Sequence, residues 1–194
     1  MLFTTDDFSP FHLDYFKTHI EPIRKEHPNF KILCFTVKHW HHESKSEDLK
    51  RFVDYCRKNK DWLYLSAHAM YHEVAEGLEQ HELMIELRNW LNNLKVAGCS
   101  VIDAYKPPFY RYDYGTLDRA KRLYFKWLFL PSGILNINTD KFYKREGIGL
   151  IDSHCNPESK LLLADGKEIL DPNRLELKPF EEYLKNYCDL SWLK

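Results

Sequence analysis

Two pairs of residues in this chain have the types and spacing that metal-assisted hydrolysis requires. Asp6 and Asp7 are adjacent near the N-terminus, and His68 and His72 are separated by three residues. Imidazoles and a carboxylate are common zinc ligands, and two histidines plus one carboxylate leave a fourth position for water. Histidines four apart would share one side of a helical turn and so offer both rings to one ion. Adjacent residues of a strand point to opposite sides, so one aspartate would hold the ion while the other approaches the water beside it. Each pair also has a plainer meaning. Asp7 or Ser9 ahead of Pro10 would cap a helix, and isolated histidine pairs at this spacing often arise by chance.

Other segments offer weaker chemistry. In AYKPPFY (residues 104–110), Pro107 and Pro108 fix the backbone and donate no hydrogen bond, which leaves the Phe109 N–H to meet a substrate oxygen; otherwise the segment is a rigid loop. His154 follows the apolar run IGLID and is the only histidine beyond His81. A lone histidine there is usually a polar loop residue, but it is also a possible proton donor. His39, His41 and His42 follow another apolar run and could bind a metal, but such a cluster more often reads as a solvated loop, here also a substrate-loop candidate. Lys38, Lys106 and Arg111 would suit an anion pocket.

These residues must be positioned by secondary structure, and the pattern supplies it. Met1–Thr5, Phe30–Lys38, Trp62–Ala67, Cys99–Tyr105, Ile134–Ile137 and Ile148–Asp152 read as strands. Between and around them, Pro10–His19, Ser46–Lys58 with Ser46 as N-cap, Glu79–Lys95 stopped by Gly98, Thr116–Phe125 and Phe180–Tyr187 read as helices. Leu161–Ala164 and Glu168–Leu170 flank Asp165-Gly166 as a hairpin. Strand–helix alternation predicts an α/β fold, a small or incomplete (β/α) barrel with mostly parallel strands. In such folds functional groups gather where strands end. The Asp pair, the His pair, Lys106–Tyr110 and His154 all follow expected strands, so four segments should meet at one rim.

Composition narrows the class. The 194 residues suit one domain spanning 1–194, and 44% hydrophobic with 29% charged residues is an ordinary globular balance. A net charge of -1 argues against a nucleic-acid or anionic-membrane partner. The 15% aromatic content reads mainly as core, any one ring of which could line a groove. Five scattered cysteines without a CxxC pair argue against a zinc ribbon and against a disulfide framework, and predict free thiols. With two acids where a signal peptide would be basic, and no run of about 20 apolar residues, the expectation is a cytoplasmic protein.

The order and spacing of these segments resemble the polysaccharide deacetylase family with the NodB homology domain, carbohydrate esterase family 4. Thr4-Thr5-Asp6-Asp7-Phe8 resembles that family's T-F-D-D-G, His68-Ala69-Met70-Tyr71-His72 its H-[ST]-x-x-H, and Lys106-Pro107-Pro108-Phe109 its R-x-P-Y. His154 after IGLID resembles its last histidine, and Trp127 is a candidate for its Asp/Trp motif. The resemblance spans residues 2–156. Phe8 stands where the family has glycine, and Lys106 where it has arginine. It implies a hydrolase that removes an acetyl or similar acyl group from an N-acylated sugar or related amide. It further implies one divalent ion, zinc by ligand type, on Asp7, His68 and His72. Asp6 would be the general base, steadied by Lys106, with His154 the general acid and the Phe109 N–H an oxyanion donor. The alternatives are a catalytically silent sugar- or small-molecule-binding module on the same fold, and a different metal hydrolase acting on a phosphoester or cyclic amide.

Overall fold

Side chains alternate along the first strands between two apolar layers, and that alternation fixes the architecture. The computed structural model describes residues 2–40, 43–72, 81–148, 150–155, 161–162, 168–169 and 193. In chain order the elements are β1 (Leu2–Phe8), α1 (Leu13–His19), α2 (Glu21–Glu26), β2 (Ile32–Val37), α3 (Ser46–Lys58), β3 (Leu63–Ala69), α4 (His81–Val96) and β4 (Val101–Tyr105). A 3-10 turn (Pro108–Tyr110) leads to α5 (Tyr114–Arg122), β5 (Trp127–Leu130), β6 (Gly133–Asn136), β7 (Lys141–Lys144), α6 (Arg145–Ile148), β8 (Leu150–His154), β9 (Leu161–Leu162) and β10 (Glu168–Ile169).

The ten strands among the described residues join one sheet in the order β10-β9-β8-β1-β2-β3-β4-β5-β6-β7. The six from β8 to β5 run parallel, and antiparallel strands flank them at both edges. The sheet curls into a half-barrel, consistent with an incomplete (β/α) barrel. Among the described residues no pairing joins β7 to β10.

On one face Phe3, Cys34, Leu63, Leu65 and Ala67 meet Phe16 of α1, Phe52 and Cys56 of α3, and Met84, Leu87, Trp90, Leu91 and Leu94 of α4. On the other, Leu2, Leu33, Phe35, Tyr64, Ile102 and Ala104 meet Trp127, Phe129, Ile134 and Leu193. Strands buried on both faces read as continuous apolar runs, which is why β2 and β3 stand out in the sequence. Continuing the period of two along the second face leads to Asp6, His68 and Lys106 at the C-terminal strand ends.

Helix ends refine the expected boundaries. Gly98 (φ 89) does stop α4: the Cys99 N–H bonds to the Leu94 carbonyl and the Gly98 N–H to that of Lys95. Ser46 is not a cap; it is the first helical residue, and Lys45 precedes it without a side-chain cap bond. The helix expected from Pro10 starts at Leu13, because the Ser9 hydroxyl accepts the His12 N–H and turns the chain first. The helix expected from Thr116 starts two residues earlier, where Asp113 and Thr116 form a reciprocal capping box. Four elements were not anticipated: α2, β5, the short helix α6 and the edge strand β7, whose alternation KFYK is mostly exposed. The proposed last helix, Phe180–Tyr187, and the Asp165-Gly166 turn lie outside the described residues, although β9 and β10 pair antiparallel as that turn requires. No described helix is long and apolar enough to cross a membrane.

Leu91 is fully buried in the α4 stripe. Leu91→Ala should cost about 2–5 kcal/mol in urea unfolding; a loss well below that would mean α4 is not packed on the sheet as described.

Candidate metal centre

The site begins with irregularities at the C-terminal edge of the parallel sheet. Between Thr5 and Phe8, three residue steps of β1 oppose only two of β2, the signature of a bulge. Asp7 lies in it with φ 62. Next door, Ala67 to Ala69 of β3 spans one step of β2, which makes His68 the extra residue there. His72 follows in the loop after β3, also at positive φ (60).

These distortions overturn two expectations about how the residues present themselves. The histidines do not share a helical turn, since His68 is in a strand and His72 in a left-handed loop position. Asp6 and Asp7 do not simply alternate, because the left-handed backbone of Asp7 re-aims its side chain. The result still brings the expected set together. Asp7 Oδ1 is 3.4 Å from His68 Nε2 and 3.0 Å from His72 Nε2. One ligand atom from each residue lies within 4.8 Å of the others. Ligands about 2.0–2.2 Å from a tetrahedral zinc stand about 3.3–3.5 Å apart, so both measured separations are near what one ion needs.

The neighbours prepare these atoms. The His68 ring nitrogen Nδ1 donates to the Lys106 carbonyl at 2.7 Å, which leaves Nε2 as the ligating atom. His72 lies between the Trp40 ring (4.9 Å, stacked) and the Phe109 ring (4.7 Å). Burial alone would raise the pKa of Asp7, but hydrogen bonds from His68 and His72 outweigh it and hold the carboxyl well below its ordinary range. Burial likewise disfavours a charged His68, yet its bond to Asp7 outweighs that and raises its pKa. A divalent cation would take the place of the protons these groups share. The donor set and its spacing fit such an ion.

Beside this cluster stands a second buried carboxylate. Asp6 Oδ2 pairs with Lys106 Nζ at 2.5 Å, both side chains almost fully enclosed. The Lys106 ammonium also lies over the rings of Tyr110 (4.6 Å) and Phe35 (5.5 Å). Phe109 occupies the 3-10 turn at φ 54, half-exposed, with its ring on His72. His154 is the register partner of Asp6 across β8 and β1, at the same strand edge; its side chain lies outside the described set.

Several candidates belong elsewhere. His39 is buried and structural: its Nδ1 accepts the Ser44 N–H, its ring stacks on Tyr71, and burial pushes its pKa down. His41 and His42 lie outside the described residues. Trp127 donates its Nε1–H to the Leu193 carbonyl and packs within the second core. Lys38 lies over the Trp90 ring and Arg111 is exposed. Cys34, Cys56, Cys99 and Cys155 are free and buried, and burial raises all four thiol pKa values. Sequence reasoning missed His12 and Trp40. His12 is buried, with Nδ1 2.9 Å from the Asp7 carbonyl and its ring edge-on to Trp40. Trp40 stands inside the HWHH run, where the histidines drew the attention.

Backbone strain marks the same place. Six described non-glycine residues have positive φ, and four of them, Asp7, His72, Phe109 and Tyr110, are at this cluster. Such residues cost about 1–3 kcal/mol each and persist where surroundings enforce them, often at functional sites. No family model, curated protein or solved structure matches the chain.

Purified protein should retain about one equivalent of divalent metal by elemental analysis, with His72→Ala losing it. Stoichiometric metal in the His68→Ala/His72→Ala double variant would refute this ligand set.

Proposed function

We propose that the chain is a metal-dependent amide hydrolase, a deacetylase acting on an N-acylated sugar or related small amide. The observation that carries this reading is the convergence of Asp7, His68 and His72 within 4.8 Å beside a second buried carboxylate, Asp6, already paired with a cation. A structural ion would be closed in by four protein ligands, whereas three described ligands leave a position for water. Zinc suits a set of two imidazoles and one carboxylate.

When bound, the ion would lower the pKa of a water toward about 7 and polarise the acyl oxygen. The remaining work falls to the chain. Asp7, His68 and His72 hold the cation, with His68 oriented through its bond to the Lys106 carbonyl. Asp6, paired with the Lys106 ammonium, accepts the proton of the attacking water. The backbone N–H of Phe109, in the turn against His72, donates to the developing oxyanion. His154, from the strand beside Asp6, delivers a proton to the departing nitrogen, since an amine anion is a very poor leaving group. Lysine in place of arginine changes how Asp6 is held: a single ammonium contact substitutes for a planar fork, and the faces of Phe35 and Tyr110 confine it.

The test is acetate release from N-acetylglucosamine oligosaccharides by the metal-loaded protein. Asp6→Asn should abolish turnover while retaining metal; if it instead lost the metal, the roles of Asp6 and Asp7 would have to be exchanged. His154→Ala should slow amide hydrolysis by about 10²–10⁴-fold, with metal content unchanged and a much smaller loss on an activated aryl ester. Equal losses on both substrates would exclude the acid role.

A further inference from the structure

Asp7 is a ligand in a costly backbone conformation, so something must hold it there. The described contact at its carbonyl comes from His12, five residues on. Its Nδ1 lies 2.9 Å from the Asp7 carbonyl oxygen and 3.1 Å from the Ser9 hydroxyl. A carbonyl oxygen can only accept, so Nδ1 carries the hydrogen. The ring itself is fixed from two sides. Its own backbone N–H is held by the Ser9 hydroxyl at 3.2 Å, and Trp40 packs against it edge-on with centroids 4.4 Å apart. Trp40 in turn stacks on His72. One buried side chain therefore touches the backbone of one ligand and, through a single ring, the side chain of another.

We propose that His12 is a positioning residue of the metal centre: its Nδ1–H pins the left-handed Asp7 carbonyl and so sets the direction of the ligating carboxylate. The assignment rests on the metal reading of Asp7, His68 and His72. Partners of this kind that orient a ligand without touching the ion typically contribute 10–100-fold in affinity.

Two substitutions separate the hydrogen bond from the packing. His12→Phe keeps a ring against Trp40 but has no donor. His12→Asn loses the ring but can place an amide N–H close to where Nδ1 stands. Metal-free wild type and both variants would be titrated with zinc against a chromophoric chelator, alongside thermal unfolding of the metal-free proteins. His12→Phe should bind zinc about 10–100-fold more weakly, with the metal-free melting temperature close to wild type. His12→Asn should bind about tenfold more tightly than His12→Phe, as expected if the donor orients the ligand. Wild-type affinity in His12→Phe, or no recovery in His12→Asn, would overturn the assignment. So would failure of both variants to fold, which would make His12 a packing residue only. A wild-type protein that takes up no zinc would instead remove the metal reading on which the assignment stands.

Discussion

The left-handed backbone of Asp7 is the constraint from which the rest of the site follows. In a regular strand, Asp6 and Asp7 would face opposite layers, one toward the helices and one toward the second core. The bulge between Thr5 and Phe8 breaks that alternation after Asp6. Asp6 keeps its place on the second face, where Lys106 meets it, and Asp7 is turned toward His68 and His72. Two adjacent carboxylates thus acquire different partners. One is surrounded by imidazoles and suited to a cation. The other is paired with a buried ammonium, that of Lys106. A straight strand of the same sequence would separate them across the sheet.

Burying these charges is unfavourable unless each is matched. Ion pairs removed from water recover their desolvation cost only when geometry is close and the remaining polar atoms are satisfied. The Asp6–Lys106 contact is close, at 2.5 Å, and the lysine's ammonium also lies over the faces of Phe35 and Tyr110. Cation–π contacts of this kind strengthen as water is excluded. Phe35 is also packed edge-on against Phe129 in the second core. The electrostatics of the site are therefore continuous with the packing beneath it.

Much of this was legible in the sequence, and the parts that were not share a cause. The strands β1 to β4, the helices α1, α3 and α4 between them and the stop at Gly98 follow from apolar periodicity and helix-end chemistry. The grouping of Asp7, His68 and His72 follows from residue types at strand ends. What periodicity cannot report is a local departure from itself. Asp7 and His68 lie where a strand gains a residue, and the expected geometry of both pairs, alternation for the aspartates and a helical turn for the histidines, failed for that reason. Nor does Asp7 or His72 announce its positive φ as glycine would. His12 and Trp40 escaped for a different reason: their roles come from tertiary contact, and nothing in their spacing from Asp7 or His72 signals it. The edge strand β7 has no buried face to leave a pattern.

The bulges also explain polar residues that would otherwise look misplaced in the sheet's apolar centre. From Leu65 to Ala67, β3 advances two residues while β4 advances four, from Val101 to Tyr105. An extra stretch of strand in a parallel ladder leaves carbonyls without their regular partners, and buried carbonyls must be satisfied. The Ser66 hydroxyl reaches the carbonyls of Ile102 at 3.0 Å and Ala104 at 2.6 Å, inside that stretch. Thr36 on the neighbouring strand donates to the Ser66 carbonyl at 3.0 Å. Both side chains are fully buried, so neither is there for solvent. They serve as internal replacements for ladder bonds, Ser66 where β3 and β4 fall out of step and Thr36 beside the bulge between β2 and β3. That same stretch carries the chain to Lys106, whose N–H returns to the Ala67 carbonyl and whose own carbonyl accepts from His68. The irregular ladder is thus built to deliver Lys106 at the height of Asp6 and to orient His68. Regular pairing would place both at different levels, and the hydroxyls of Thr36 and Ser66 are what make the departure tolerable.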